Sequence, residues 1–363
     1  MRWLGLNTHR FDSWVWADIS AASRRANPTC DTNFCALPIP DQQAFSYLPP
    51  PGRYFMLRAF FVKLSENRSL RNFAERSAIG RRVSGRFVAG TEIADAVRVT
   101  QAVNRAGMSV SIDNLGENVT NPDEARHSAQ LYNQILDAIA ANQLTANISL
   151  KLTHMGLDVD EQLARDIVAG LVAKAASMNP AGFVRVDMEG SPYTQRTLDF
   201  VHELHRMPGN GNSVGTVIQA YLKRSESDIE KLLSEGIRIR LCKGAYKEPA
   251  SIAFESKADV DANYIGLMKM LMKSGVYHGM ATHDENIIRE AQAFATKENI
   301  ARDSFEFQML YGIRRDLQQS LVRDGWRMRV YVPFGSEWYP YFMRRLGERP
   351  ANLFFIARNM LRS

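Results

Sequence analysis

From residue 109 onward, short runs of β-branched and aliphatic residues alternate with longer stretches whose apolar positions recur at helical spacing. The runs are Ser109–Asp113, Ala146–Leu152, Phe183–Glu189, Val214–Tyr221, Arg238–Ala245, Tyr277–His283, Phe305–Leu310 and Arg329–Gly335. Between them, stretches such as Glu161–Ser177 and Asp228–Glu235 place apolar residues three and four apart with charges in between, the pattern of an amphipathic helix. This repeated β/α alternation predicts a closed α/β barrel of the (β/α)8 TIM type in preference to an open doubly wound sheet. No G-x-G-x-x-G follows a first strand, which also argues against a dinucleotide fold.

The first 53 residues follow neither period and carry a Pro-Pro-Pro-Gly run at 49–52. From Met56 to Leu64 the pattern becomes that of a basic amphipathic helix. The expected division is therefore a barrel domain over 56–363. Residues 1–55 would be a disordered tail or sequence upstream of a natural start at Met56. Cys30 and Cys35 have no second pair beside them, so no metal site is expected there.

Composition narrows the class. The 363 residues suffice for one large domain, and 45% hydrophobic with 23% charged residues is ordinary for a globular protein. A formal charge of +6 is too mild to signal nucleic-acid binding. It suits an anionic cofactor, an anionic substrate or an anionic membrane surface. No apolar run approaches the roughly 20 residues that span a bilayer, and the N-terminus lacks the features of a secretory signal. Three cysteines make no disulfide framework, which implies a reducing, cytoplasmic setting.

In a barrel of this type the chemistry sits where the strands end. The strand ends are rich in polar groups: Asp113, Lys151, Asp187, Glu189, Gln219, Arg240, Lys243, Thr282, His283, Gln308 and Tyr331. Charges in a barrel interior need partners or a ligand. Lys151 and Asp187 fit either a buried ion pair between adjacent strands or a substrate-binding pair. Arg240-Leu-Cys-Lys-Gly-Ala-Tyr offers two cations, a bare glycine and an aromatic, which favours phosphate or an anionic ring. The alternative is an ordinary strand ending in a turn. His283 has no partner at metal-ligand spacing, so no zinc site is expected. The last segment, Trp338 to Glu348, is helical after Pro340 and holds adjacent Arg344 and Arg345 among Tyr341, Phe342, Met343 and Leu346. Glu348 shares a face with both arginines. Such apolar company is unusual for a solvated basic face.

Together these residues resemble the proline dehydrogenase family. The matching motifs are Leu115-Gly-Glu, Ile148-Ser-Leu-Lys-Leu, Val186-Asp-Met-Glu, Val217-Ile-Gln-Ala-Tyr, Arg240-Leu-Cys-Lys-Gly-Ala-Tyr, Ala281-Thr-His, Phe305-Glu-Phe-Gln-Met-Leu, and Tyr331 through Arg344-Arg345 to Glu348. They run in order across residues 56–363. The resemblance implies a distorted barrel with extra N-terminal helices and its last helix over the mouth. It also implies noncovalent FAD and oxidation of L-proline to 1-pyrroline-5-carboxylate, with electrons passed to a membrane quinone. Asp187 and Arg240 are the catalytic residues it implies, Arg240 lying beside the flavin. Lys151, Arg344 and Arg345 would bind the proline carboxylate, and Tyr246, Leu310, Tyr331 and Tyr341 would wall the ring. Met188, Gln219, Lys243, Gly244, Ala245, Thr282 and His283 would line the cofactor. Glu117 would pair with Arg344 as a gate. Tyr331 implies proline over 4-hydroxyproline, because relatives acting on the latter carry a smaller residue there. Cys242 departs from the aliphatic residue common at its position.

The quinone acceptor implies peripheral contact with the inner membrane face, for which 54–64 and the end after Leu353 are candidates. Both segments equally suit packing on the barrel. No aldehyde-dehydrogenase module follows Ser363, so a separate pyrroline-5-carboxylate dehydrogenase is expected. The competing readings are a methylenetetrahydrofolate reductase-like flavin barrel, a hydroxyproline dehydrogenase and a non-catalytic ligand-binding barrel.

Overall fold

The computed structural model describes Ser77, residues 85–116, residues 118–341 and Met343, all within the unit Pro50–Ser363. The N-terminal stretch, the segment Met56–Leu64 and the end after Leu353 lie outside the described residues. After helix α1 (Ile93–Arg105), the chain alternates strand and helix. The order is β1 (Ser109–Asn114), α2 (Pro122–Ala141), β2 (Ala146–Leu150), α3 (Glu161–Ser177), β3 (Val184–Val186), α4 (Ser191–Arg206), β4 (Val214–Gln219), α5 (Ser225–Ser234), β5 (Arg238–Cys242), α6 (Lys257–Lys273), β6 (His278–Ala281), α7 (Glu285–Lys297), β7 (Phe305–Leu310), α8 (Arg315–Arg323) and β8 (Met328–Phe334). Neighbouring strands pair in parallel, and β8 returns to β1 with Ser111 opposite Tyr331, so the sheet closes into a barrel.

The predicted barrel is therefore present. Several strands end earlier than their apolar runs. Beyond Leu150 the chain turns into a short 3₁₀ segment, Thr153–Met155, and beyond Val186 it keeps one ladder bond, from the Asp187 amide to the Leu150 carbonyl at 2.8 Å, before turning outward. Hydrophobicity continues past the ladder because these residues still pack under the loops of the mouth.

Alternation divides each strand between two environments. Outward residues such as Ile148, Leu150, Val184, Val186, Ile239, Leu241 and Met280 are essentially fully buried against the helices. They meet Tyr132, Ile135, Leu136, Val168, Leu171, Leu267 and Leu271 on the inner helix faces. Each such side chain contributes about 1.5–3 kcal/mol on leaving water. The helices start where the sequence supplies a cap. The Asn121 side chain accepts from the Glu124 amide ahead of α2, Asp160 accepts from Leu163 ahead of α3, and Ser256 accepts from Asp259 ahead of α6.

Many inward residues are polar instead. Ser111, Asn147, Ser149, Arg185, Arg240, Glu306 and Gln308 are all buried. The shell of apolar contacts outside the barrel thus stabilises the fold, and the interior is left to polar chemistry. The Tyr132 hydroxyl ties the shell to the mouth. It donates to the Ser149 carbonyl at 2.8 Å and accepts from the Asn114 amide at 3.2 Å. Tyr132→Phe leaves both groups buried without that partner and should cost about 1–3 kcal/mol. Urea denaturation measures it; an unchanged midpoint would remove Tyr132 from the framework of the mouth.

Candidate active site

At the C-terminal end of the barrel, four residues singled out in the sequence come together. Arg240, on β5, crosses the interior. Its Nη1 donates to Asp187 Oδ1 at 2.8 Å and to Ser149 Oγ at 3.1 Å, its Nη2 donates to Ser111 Oγ at 3.1 Å, and its Nε donates to Gln308 Oε1 at 2.6 Å. The guanidinium carbon lies 5.1 Å from the centre of the Tyr331 ring, a cation–π contact. Tyr331, on β8, donates its hydroxyl to Asp187 Oδ2 at 2.9 Å. Asp187 also accepts from Ser149 Oγ at 2.7 Å. Lys151, just past β2, places Nζ 3.9 Å from Asp187 Oδ2 and 3.4 Å from each oxygen of Asp113.

The electrostatics follow from this arrangement. Burial raises the Asp113 carboxyl to about 6; Lys151 opposes the rise and the Asp187 charge adds to it. Burial, with the charges of Asp113 and Asp187, holds the Tyr331 phenol well above its ordinary range, so it stays a donor. Burial and the Lys151 charge hold His154 down at about 4, which keeps it neutral beside the site.

A second group of predicted residues lines the rim from β4 to β7. Gln219 ends β4 and donates through Nε2 to the Glu189 carbonyl at 2.9 Å, which turns the loop after β3 toward β4. Met188 is buried in that loop. Lys243 follows β5 and is paired with Asp261 Oδ1 at 2.5 Å and Asp284 Oδ2 at 2.9 Å. Asp284 also caps α7, so one carboxylate anchors a helix and a cation together. Gly244 adopts φ +108°, a left-handed conformation, with the Tyr221 ring filling the space a side chain would need. Ala245 and the exposed Tyr246 continue this segment. Thr282 Oγ1 accepts from the Asp284 amide at 3.1 Å, and His283 Nε2 accepts from the Leu310 amide at 3.0 Å. That bond leaves the neutral His283 ring protonated on Nδ1. Leu310 stands opposite Tyr331 in the β7–β8 register. Tyr341 is buried in the helical turn at residues 338–341. Glu117, Arg344, Arg345 and Glu348 lie outside the described residues.

In the sequence Asp113 and Gln308 stand only as polar strand ends, and Ser111, Asn147, Ser149, Glu306 and Arg329 have no role of their own. The signal was available in the alternation. Each lies two residues from another inward polar position on its strand, as Glu306 does from Gln308 and Arg329 from Tyr331.

Residues 96–358 match the family model described as proline dehydrogenase. Proline dehydrogenase 1 of Bacillus subtilis is 41% identical over 308 residues, 85% of this chain and all of that protein. Proline dehydrogenase of Deinococcus radiodurans is 41% identical over 280 residues, 76% of this chain and 89% of that one. A crystal structure of proline utilization A from Bdellovibrio bacteriovorus superposes with a TM-score of 0.71 at 25% identity, covering 81% of this chain and 36% of the larger protein. The chain belongs to the proline dehydrogenase family.

Proposed function

We propose that this chain oxidises L-proline to 1-pyrroline-5-carboxylate, with FAD as its cofactor and a membrane quinone as the final acceptor. The observation that carries the reading is the Lys151–Asp187–Arg240–Tyr331 cluster at the mouth of a barrel of this family. The donor set supports this reading by its chemistry. Arg240 and the Thr282 hydroxyl are donors on one rim, with His283 and Lys243 beside them, suited to a ring with carbonyl groups. FAD bound there would supply the hydride acceptor.

The protein's own residues have two tasks. One is orientation. Proline must present the ring carbon next to nitrogen, with the amine neutral, and no strong base is required for the hydride to leave. Lys151 attracts the carboxylate, with Arg344 and Arg345 as its proposed partners. Tyr331, Leu310, Tyr246 and Tyr341 wall the ring. The other task is electrostatic. A fixed cation at Arg240 favours electron gain beside it, while Asp187 holds that cation and Tyr331 in register. Glu117 and Arg344 are the proposed gate. No helix among the described residues is long and apolar enough to cross a membrane. Electron delivery to the quinone would then take place by peripheral contact with the membrane, and a pyrroline-5-carboxylate dehydrogenase would consume the product.

Three outcomes test the reading. Anaerobic titration of the purified yellow protein with L-proline should bleach the flavin absorbance, and NADH should not replace proline; a colourless or unresponsive protein would overturn the proposal. Lys151→Met should raise KM for proline by roughly 10- to 100-fold, the value of a charge-assisted bond, with flavin content unchanged. An unaltered KM would move the carboxylate elsewhere. Finally, kcat/KM for proline should exceed that for 4-hydroxyproline by at least about tenfold, since Tyr331 leaves little room for a ring hydroxyl. Comparable values would instead support a hydroxyproline dehydrogenase.

A further inference from the structure

Beneath the mouth, the polar interior closes on itself. Arg240 Nε donates to Gln308 Oε1, and Gln308 Nε2 donates to Glu306 Oε1 at 2.7 Å. Glu306 Oε1 also accepts from Arg329 Nε at 2.5 Å, and Arg329 Nη1 donates to Asn147 Oδ1 at 2.9 Å. Ser111 Oγ donates to the same Asn147 oxygen at 2.6 Å and accepts from Arg240 Nη2. The chain of bonds thus leaves one edge of the Arg240 guanidinium and returns to the other, through β7, β8, β2 and β1.

The ring has a direction. Arginine only donates and a carboxylate only accepts. Gln308, between Arg240 and Glu306, therefore has one amide orientation that satisfies both neighbours. Glu306 is the ring's carboxylate, 3% exposed, and it also accepts from the Tyr277 hydroxyl at 2.9 Å. The strand alongside is shaped for this crossing. A Cβ on Gly279 of β6 would lie 2.2 Å from Gln308 Nε2 and 2.7 Å from its Cδ. The missing side chain at 279 is the space the amide occupies.

We infer that Gln308 and Glu306 are positioning residues of the active site: Glu306 orients the Gln308 amide, and that amide fixes the plane and position of the Arg240 guanidinium. Both act through Arg240, Gln308 by its direct bond and Glu306 by way of Gln308. A planar cation bonded along both edges keeps one orientation, so its field at the mouth is set before substrate arrives. The inference rests on the proposed function only in taking Arg240 as the cation beside the flavin.

The test compares flavin-loaded wild type with Gln308→Met, Gly279→Ala, Gln308→Ala and the double variant Gln308→Ala/Gly279→Ala. Steady-state kinetics with proline and the midpoint potential of the bound flavin are measured on each. Gln308→Met should lower kcat about tenfold, the worth of one hydrogen bond to a charged group, with KM within about twofold and the flavin potential more negative. Gly279→Ala should do the same by displacing the amide, although residue 279 is on another strand. In the Gln308→Ala background it should have no further effect, because the new methyl then enters vacated space. An unmoved potential, equal changes in kcat and KM, or additive effects in the double variant would overturn the inference. Should Gln308→Met fail to fold, the Gly279→Ala and double-variant arms decide the matter. If wild type itself does not bleach with proline, the proposed function fails. If wild type bleaches and the variants match it, only the positioning role fails.

Discussion

A guanidinium inside a parallel barrel has lost most of its water, and an isolated buried ion costs several kcal/mol even after the surroundings relax. Arg240 is 6% exposed, and its surroundings replace that water with four hydrogen bonds and the Tyr331 ring face. Those partners come from β1, β2, β7 and β8 and from the residue just past β3. A single side chain therefore constrains the inward positions of most of the barrel. Serines at 111 and 149 are small enough to let it pass and polar enough to bond it. Removing one partner of such a set leaves a buried charge underpaired, a far larger loss than the net worth of the bond.

The same reasoning explains the floor. Arg185 donates Nη1 to the carbonyls of Thr216 and Arg238 at 2.8 and 2.6 Å, and lies over Phe183. Arg238 stacks on Phe183 and Tyr277. Burial, together with the flanking Arg240 and Arg238, pushes the Arg185 pKa well below its usual value. Cations at this end rest on carbonyls and aromatic faces, with Nε of Arg185 and of Arg238 buried without a hydrogen-bond partner, and Arg329 pairs with Glu306. They stiffen the barrel where no chemistry is needed. Folding and function are thus assigned to opposite faces of the same strands: apolar contact outward, polar pairing inward.

This division decides what could be read from sequence. The outward face follows a local rule, alternation of branched apolar residues, so all eight strands were visible in it. Polar residues that interrupt or bound an apolar run, such as Lys151, Asp187 and Tyr331, were visible as candidates, while the run alone left Lys151 and Asp187 open between a buried ion pair and a binding pair. The ring through Glu306, Arg329 and Asn147 was not. Its members stand on strands β7, β8 and β2, and which inward residues meet depends on the relative register of those strands, which no local pattern encodes. Lys243 is a related case. The Arg240-Leu-Cys-Lys-Gly run identifies a cation near the rim, but its compensation by Asp261 and Asp284 arises from helices that begin after the next loop and the next strand.

The contacts of the two cations at the mouth differ in a way that bears on the proposed chemistry. Arg240 is bonded at 2.6–3.1 Å along both edges. Lys151 approaches its aspartates at 3.4 and 3.9 Å, through a single flexible ammonium. A cation gripped at short distance by several rigid partners cannot exchange them without leaving buried donors unpaired, so it suits a fixed field. A lysine between two carboxylates at longer range can shift toward a third at modest cost. In the proposed function the arginine would therefore stand on the electron-accepting side of the pocket and the lysine on the substrate side. The fold keeps the two apart by placing Asp187 between them, bonded to one and only near the other.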